Sequence, residues 1–414
     1  MANKLRPMAT PRLPRRNDPE SIRARQRALG LDGEVTALDL APFASAQESL
    51  TGAAVIPVSV VGPLRVSLGD YELEEPLGKV VEVGRAEEEV YVPLAHTEGG
   101  LSISLDRGAL AAARSGGFRT YVLRDRMTRA SCFVCSSTEE AVSLARFVEA
   151  HLAEARRWLA ERVEADSSSA LSRHARLREV ETHVVGPLCH VMWAFTTGDA
   201  CGPNMMTRNS YALNMGFVME RAPVKPRRAI LEANMGGDKK PSHRYFQRGG
   251  HGKTVIAECT LAEESVRRVL RTTIDDLLEL SWAGTHGAVA SGMQSVAFTP
   301  ASAIAAIFAA TGQDLGMVGT SSMAHGTGHR AGDGLNCAIR LPGLEVGTVG
   351  GGTTLPYARS WLQLMGCAGP GKVYRFAQIV AAAALALEIS ASAAMATAGS
   401  ESFFRAHQER GGMR

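Results

Sequence analysis

The sequence predicts an α/β fold, and three stretches carry that expectation. Val90-Tyr-Val-Pro-Leu-Ala95 spaces its apolar residues as a half-buried strand does. Ser137-Thr-Glu-Glu140 is a capping box ahead of Leu144, Phe147, Val148, His151, Leu152, Ala155, Trp158 and Leu159, which fall on one face of a helix ending near Asp166. Thr254–Cys259 reads as a strand, followed by Thr260-Leu-Ala-Glu263 as a second box and by Val266, Val269, Leu270, Ile274, Leu277 and Leu278 at helical spacing. At 414 residues, 45% apolar and 21% charged, the chain suits a globular protein of two or three domains with a sizeable core.

From the start, residues 1–40 read as a disordered or loosely docked arm, with Lys4, Arg6, Arg12, Arg15 and Arg16 set among prolines and no apolar run of a secretory signal. The strand at 90–95 breaks into His96-Thr-Glu98-Gly-Gly100, which puts a carboxylate at a strand end beside flexible glycines, where it can serve as an acid or base. Cys132 and Cys135 form a lone C-x-x-C and read as buried residues of a strand, because no second pair completes a metal set. Asn234-Met-Gly-Gly-Asp-Lys239-Lys240-Pro241 is the most informative segment. Its glycines permit unusual backbone angles and Pro241 stops a helix, so the two lysines sit on a shaped loop. Such a loop can aim an ammonium at a developing oxyanion, although a solvated turn has the same local appearance.

Arg248-Gly-Gly-His-Gly-Lys-Thr254 lacks the first glycine of a phosphate-binding loop, since position 247 is Gln247. Leu280–Gln313 carries no Asp, Glu, Lys or Arg and reads as core helices, broken by His286, Gln294 and Pro300 rather than spanning a membrane. It ends at Thr311-Gly-Gln-Asp314, a carboxylate delivered from surroundings that read as apolar. His325 and His329 are four apart, but Gly326 and Gly328 argue for a loop without metal. The glycine clusters at 249–252, 326–334 and 347–352 read as loops allowing close backbone approach. Ile379–Leu387 is apolar for nine residues before Glu388, too short to cross a bilayer. The net charge of +3 argues against nucleic acid as a main partner. Seven scattered cysteines argue for a reducing cytoplasm.

In order along the chain, these segments resemble the 3-hydroxy-3-methylglutaryl-coenzyme A (HMG-CoA) reductase family from about residue 47 onward. Gln47–Gly52 and Ile56–Leu64 are similar to its dimerisation segment, Pro93–Gly99 to its catalytic-glutamate motif and Met127-Thr-Arg129 to its substrate-arginine motif. Thr197-Gly-Asp199-Ala-Cys-Gly-Pro-Asn204-Met205 is similar to its cofactor motif, Asp238–Pro241 to its lysine motif, Gly312-Gln-Asp314 to its aspartate motif and Gly347–Pro356 to its glycine-rich signature.

The resemblance implies a large mixed helix/sheet domain built from 41–130 and 231–414, with a mobile tail from about 395. A small ferredoxin-like dinucleotide-binding domain is implied at 131–230. It implies Glu98, Lys239, Asp314 and His407 as catalytic residues, with Lys239 on the hemithioacetal oxyanion and Asp314 bonded to both Lys239 and Glu98. His407 would protonate the departing thiolate. Arg129, Lys240 and Asn234 are implied for substrate, and Asp199, Asn204 and Met205 for cofactor. The implied ligands are an acyl-CoA and NADPH or NADH, in a cytoplasmic homo-oligomer, at least a dimer, with no metal and no membrane anchor. The strand Gly186–Phe195 carries no arginine for a 2′-phosphate, and NADPH rests on the family default alone.

Three departures stand out. Trp282-Ala283-Gly284 replaces a lysine-bearing stretch, Glu232 replaces a serine and Gly316-Met-Val318 follows the aspartate motif. A glutamate at 232 is expected to repel a substrate carboxylate. A reductase of another acyl-CoA, or a paralogue that binds CoA or dinucleotide without turnover, are the alternatives.

Overall fold

The computed structural model describes residue 14 and residues 16–31, 38–249 and 251–411. Lys4, Arg6, Arg12 and Arg15 of the expected arm lie outside them. The described part of the arm is docked. Helix α1 (Pro19–Ala28) starts at an Asp18 cap, and Arg25, 1% exposed, donates to the carbonyls of Pro14, Arg16 and Leu50. An arginine that satisfies buried carbonyls fastens the segment, which basic composition alone does not reveal.

Two long strands, β1 (Val58–Glu74) and β2 (Lys79–Ala95), form an antiparallel hairpin that leads into helix α2 (Leu101–Ala113). Strand β3 (Phe118–Val134) then serves two sheets. Its first half pairs with β7 (Gly252–Leu261), and from Met127 onward it pairs with β5 (Leu188–Thr196). The larger sheet runs β2-β1-β3-β7-β9-β8, closed by the hairpin β8 (His325–Ala331) and β9 (Gly334–Leu344). The smaller runs β4 (Arg176–Val185), β5, β3 and β6 (Arg228–Ile230). Each has its own apolar core; the smaller gathers Phe133, Leu144, Trp158, Trp193, Phe195 and Phe217.

The expected helix after Ser137 is two helices, α3 (Thr138–Ala150) and α4 (Leu152–Ala165), separated at His151. His151 turns its Nδ1 to the Phe147 carbonyl at 2.7 Å and stacks on Phe147, closing one helix and starting the next. The expected box at Thr260–Glu263 does not form, since Thr260 is still in β7. The turn that follows is interrupted at Arg271, which is left-handed (φ 59°). A capping box one element further on, Thr273 with Asp276, opens α7 (Ile274–Ala290) after α5 (Pro203–Ala212) and α6 (His243–Arg248). Half of Leu280–Gln313 is not core: Trp282 is 70% exposed on α7, whereas α8 (Pro300–Thr311) is buried. His325 and His329 lie on β8, not on a loop.

Helix α9 (Pro356–Leu364) precedes α10 (Val373–Ala396), the central helix. By length and apolarity α10 could cross a membrane, yet it is enclosed by the larger sheet, α2 and α8. Glu388 does not end it, because its carboxylate accepts from the Phe298 and Thr299 amides and the Thr299 hydroxyl. Gln378 pins α10 to the sheet through Gly69 and Thr120. Gly108 lets α2 cross closely, since a Cβ there would lie 1.8 Å from the Ala386 carbonyl oxygen.

At the far end of the β1–β2 hairpin, Glu75 receives Arg178 and Arg176 of β4, and the Arg178 hydrogen bond holds its pKa at about 2. A lowered carboxylate pKa contributes stability that is present above the unfolded value near 4.5 and is lost as pH falls toward 2. Glu75→Gln should therefore lower the melting temperature at pH 7 and have a diminishing effect at pH 3; Glu75 itself is half exposed and screened by solvent, while Arg178 is buried.

Candidate active site

The loop bearing Lys239 meets the segment around Asp314, and glycines explain how closely they come. In the segment after β6, Gly237 (φ 78°) and Lys239 (φ 56°) are left-handed. A non-glycine residue held there is a strained position typical of functional loops. Thr128 of β3 donates to the Gly236 carbonyl at 2.9 Å and anchors the loop to the strand. The ammonium of Lys239 lies 2.8 Å from Asp314 Oδ2. Asp314 sits beyond the end of α8, where its other oxygen accepts from the Gly316 amide at 2.9 Å. A Cβ at Gly316 would come within 3.2 Å of Lys239 Nζ, so glycine leaves the lysine its path. The Asp314 hydrogen bond raises the Lys239 pKa, outweighing a smaller opposing effect of burial, with further support from Asp238 and Glu345.

The neighbours of Asp314 have equally defined roles. Gln313 clamps Gly347, accepting from its amide at 2.9 Å and donating to its carbonyl at 3.1 Å. At Gly312 any side chain would strike Gly352. Asp314 is itself partly exposed, not enclosed by apolar groups as its sequence context suggests. A cavity of about 770 Å³ opens beside it, lined by Ser45, Gln47, Gln313, Asp314, Gly352 and Tyr357 among others.

Arg129 is buried behind the lysine loop and is already engaged. It pairs with Glu232 and, at 3.1 Å, with Asp238. Glu232 also accepts from the Asn234 amide at 2.8 Å. The expected free repelling charge at Glu232 is thus a paired one, because the guanidinium lies within its reach. Asn234 is left-handed and exposed, and the exposed Lys240 ammonium pairs with no carboxylate among the described residues.

Asp199 has a structural partner set. Its carboxylate accepts from the amides of Gly371, Lys372 and Val373, capping α10. Asn204 and Met205 lie in the first turn of α5. Gly202 (φ 92°) precedes this turn with no side-chain cap, so its amides are open to an anion. That suits a dinucleotide phosphate.

Two of the expected residues stand apart. Glu98 is exposed between β2 and α2, and its carboxylate has no hydrogen-bond or ion-pair partner among the described residues, so Asp314 does not bond it within this chain. His407 is on the exposed helix α11 (Glu401–Gly411), with Nδ1 2.8 Å from the Phe403 carbonyl oxygen. No hydrogen bond or ion pair joins it to Lys239 or Asp314 among the described residues.

Sequence reasoning missed the buried group under the loop. His251 Nδ1 lies 2.8 Å from Glu345 Oε2, and Tyr245 and Thr320 donate to the other Glu345 oxygen. Burial, then Glu345, pushes the Tyr245 pKa well up. Asp238, His251 and Glu345 are close enough to suggest a metal site, but Glu345 already has a partner on each oxygen. His251 and Tyr245 lie 94 and 100 residues from Glu345, and no local pattern signals them.

Residues 27–411 match the family model for hydroxymethylglutaryl-coenzyme A reductase. A 3-hydroxy-3-methylglutaryl-coenzyme A reductase of Aeropyrum pernix is 37% identical over 375 residues, covering 89% of this chain and 82% of that one. One from Pyrococcus horikoshii is 36% identical, covering 88% and 83%. Among solved structures, a class II 3-hydroxy-3-methylglutaryl-CoA reductase of Streptococcus pneumoniae superposes with TM-score 0.65 at 18% identity, covering 92% of this chain and 84% of that one, and shares the fold. The fold is that of a two-core α/β oxidoreductase. The chain belongs to the hydroxymethylglutaryl-coenzyme A reductase family.

Proposed function

We infer that the chain reduces 3-hydroxy-3-methylglutaryl-CoA to mevalonate and free CoA with NAD(P)H as the hydride donor. The observation that carries this is the 2.8 Å Lys239–Asp314 pair at the rim of the large cavity, in a chain of this family. The Streptococcus pneumoniae structure is described as bound to NADPH, which supports NADPH here. Two molecules of NAD(P)H, bound in turn, would each supply one hydride, and the residues of this chain handle the charge and the protons. Lys239 faces the thioester oxygen and stabilises the oxyanion of the hemithioacetal, while Asp314 keeps the ammonium charged and oriented. Glu98 protonates the alkoxide formed by the second hydride, and His407 protonates the CoA thiolate as it leaves. Arg129, Asn234 and Lys240 hold the acyl group. The smaller unit, about residues 131–230, seats the dinucleotide at the first turn of α5, with Asn204 and Met205 against it and Asp199 fixing the loop.

We assign Glu98 to the active site of a second copy. Among the described residues it has no partner, and apolar side chains close to it in sequence are uncovered, including Ile103 at 76% exposure and Tyr91. These observations favour a dimer with shared sites, and the seven free cysteines favour a cytoplasmic location. Oxidation of NADPH with appearance of mevalonate and CoA in a two-to-one-to-one ratio tests the reaction, and absence of HMG-CoA-dependent oxidation would overturn it. For the shared site, Glu98→Gln and Lys239→Ala homodimers are each expected to be nearly inactive. Mixing them with subunit exchange should restore activity, whereas sites built within one chain would give none.

A further inference from the structure

Three ion pairs join the edge of the smaller sheet to the two supports of the lysine loop. Glu181, on the edge strand β4, receives both Arg126 of β3 and Arg244 of α6. Arg126 is 3% exposed, donates to the Gly249 carbonyl at 3.3 Å and is also faced by Glu179 at 3.3 Å. Glu179 in turn holds Arg124 at 2.7 Å. Burial lowers the Arg126 pKa, with Arg124 acting in the same direction, and the two glutamates oppose this.

The two arginines gripped by Glu181 come from the two segments that support the lysine loop, β3 and α6. Arg126 is three residues before Arg129, which holds Asp238 at 3.1 Å, next to the catalytic lysine. Arg244 is five residues after Lys239, in a helix that opens directly from the loop through its Ser242 cap. Between them, Thr128 is bonded to Gly236 within the loop itself. A carboxylate on one unit thus holds both approaches to a strained loop on the other.

We propose that Glu181 is a positioning residue that clasps the catalytic-lysine loop to the smaller unit through Arg126 and Arg244, fixing Lys239 relative to the bound hydride donor. This rests on the placement of the dinucleotide in the smaller unit proposed above. Hydride transfer tolerates little error in distance, and a misplacement near 1 Å can cost about a hundredfold. The Arg244 pair is partly exposed and contributes little to stability by itself, and the buried Arg126 keeps a second carboxylate, so the expected effect is on geometry rather than on folding. Glu181→Gln leaves Arg126 paired with Glu179, so no buried charge is orphaned.

The test is a cycle of Glu181→Gln, Arg244→Gln and the double variant, with Glu75→Gln as a control. Glu75 also ties β4 to the larger unit but lies on the β1–β2 hairpin, away from the loop. Each clasp variant should lower kcat about tenfold with the NADPH Kd within about twofold of wild type, and the double should fall no further than the singles. Glu75→Gln should leave kcat unchanged. Hydrogen exchange of the segment 234–242 should quicken in Glu181→Gln and not in Glu75→Gln. Additive losses, a loss residing in the NADPH Kd, or unchanged exchange in that segment would overturn the clasp. The exchange experiment needs no turnover, so it still decides the clasp if the wild-type chain fails to reduce HMG-CoA, a failure that strikes the proposed reaction instead.

Discussion

Replacing Lys239 with alanine is expected to lower kcat by about a hundred- to a thousandfold, the loss typical when one preorganised oxyanion donor is removed. The KM for HMG-CoA should change little, because in the proposed reaction the ammonium acts on charge that exists only once hydride has arrived. The sign of the pH dependence follows from Asp314. Its hydrogen bond raises the Lys239 pKa above 10.5, so the ammonium is retained throughout neutral and mildly alkaline pH. In wild type, loss of activity from deprotonation of Lys239 should therefore begin only above the ordinary lysine range. In Asp314→Asn that raising influence is gone, and the alkaline limb of the kcat profile should move to lower pH. Steady-state kinetics of both variants across pH checks this, and a Lys239→Ala enzyme with wild-type kcat would mean that another group holds the oxyanion.

The lysine loop was legible in the sequence for a physical reason. Gly-Gly-Asp-Lys-Lys-Pro constrains its own backbone, and the left-handed Gly237 and Lys239 are local consequences of local residues. The same holds for Gly312, whose close approach to Gly352 only glycine permits. What could not be read depended on partners distant in sequence. Thr260 looks like a helix cap until pairing with Asn336 of β9 keeps it in a strand, and the helix then starts at Thr273. The bare apolar run Leu280–Gln313 looks uniformly buried, yet α7 leaves Trp282 in the open. Asp199 resembles a cofactor ligand in its motif, while its three hydrogen bonds run to a helix start more than 170 residues away. Glu98 shows the limit most clearly. Its motif resembles that of an acid, but among the described residues its carboxylate has no partner.

Glu232→Ser is expected to raise kcat/KM for HMG-CoA by about ten- to a hundredfold, chiefly through a lower KM. In the unliganded chain Glu232 already occupies Arg129, so a substrate carboxylate approaching that guanidinium must displace a charge of the same sign. Serine removes the competitor and leaves Arg129 paired with Asp238 at 3.1 Å, so the buried cation is not orphaned. A charge-assisted hydrogen bond restored to the substrate is worth roughly 1.5–3 kcal/mol, which sets the size of the effect at one decade per 1.4 kcal/mol. The Asn234 amide loses its Glu232 acceptor, but it lies at an exposed turn where water can replace it. An acyl-CoA without the distal carboxylate has no stake in this competition, and its kcat/KM should be the same in both enzymes. A parallel gain for both substrates would place the effect of Glu232 on the lysine loop through Asp238. No gain for either would mean that the Glu232–Arg129 pair persists as a fixed support while the substrate carboxylate binds elsewhere, the exposed Lys240 being a cation on the same loop.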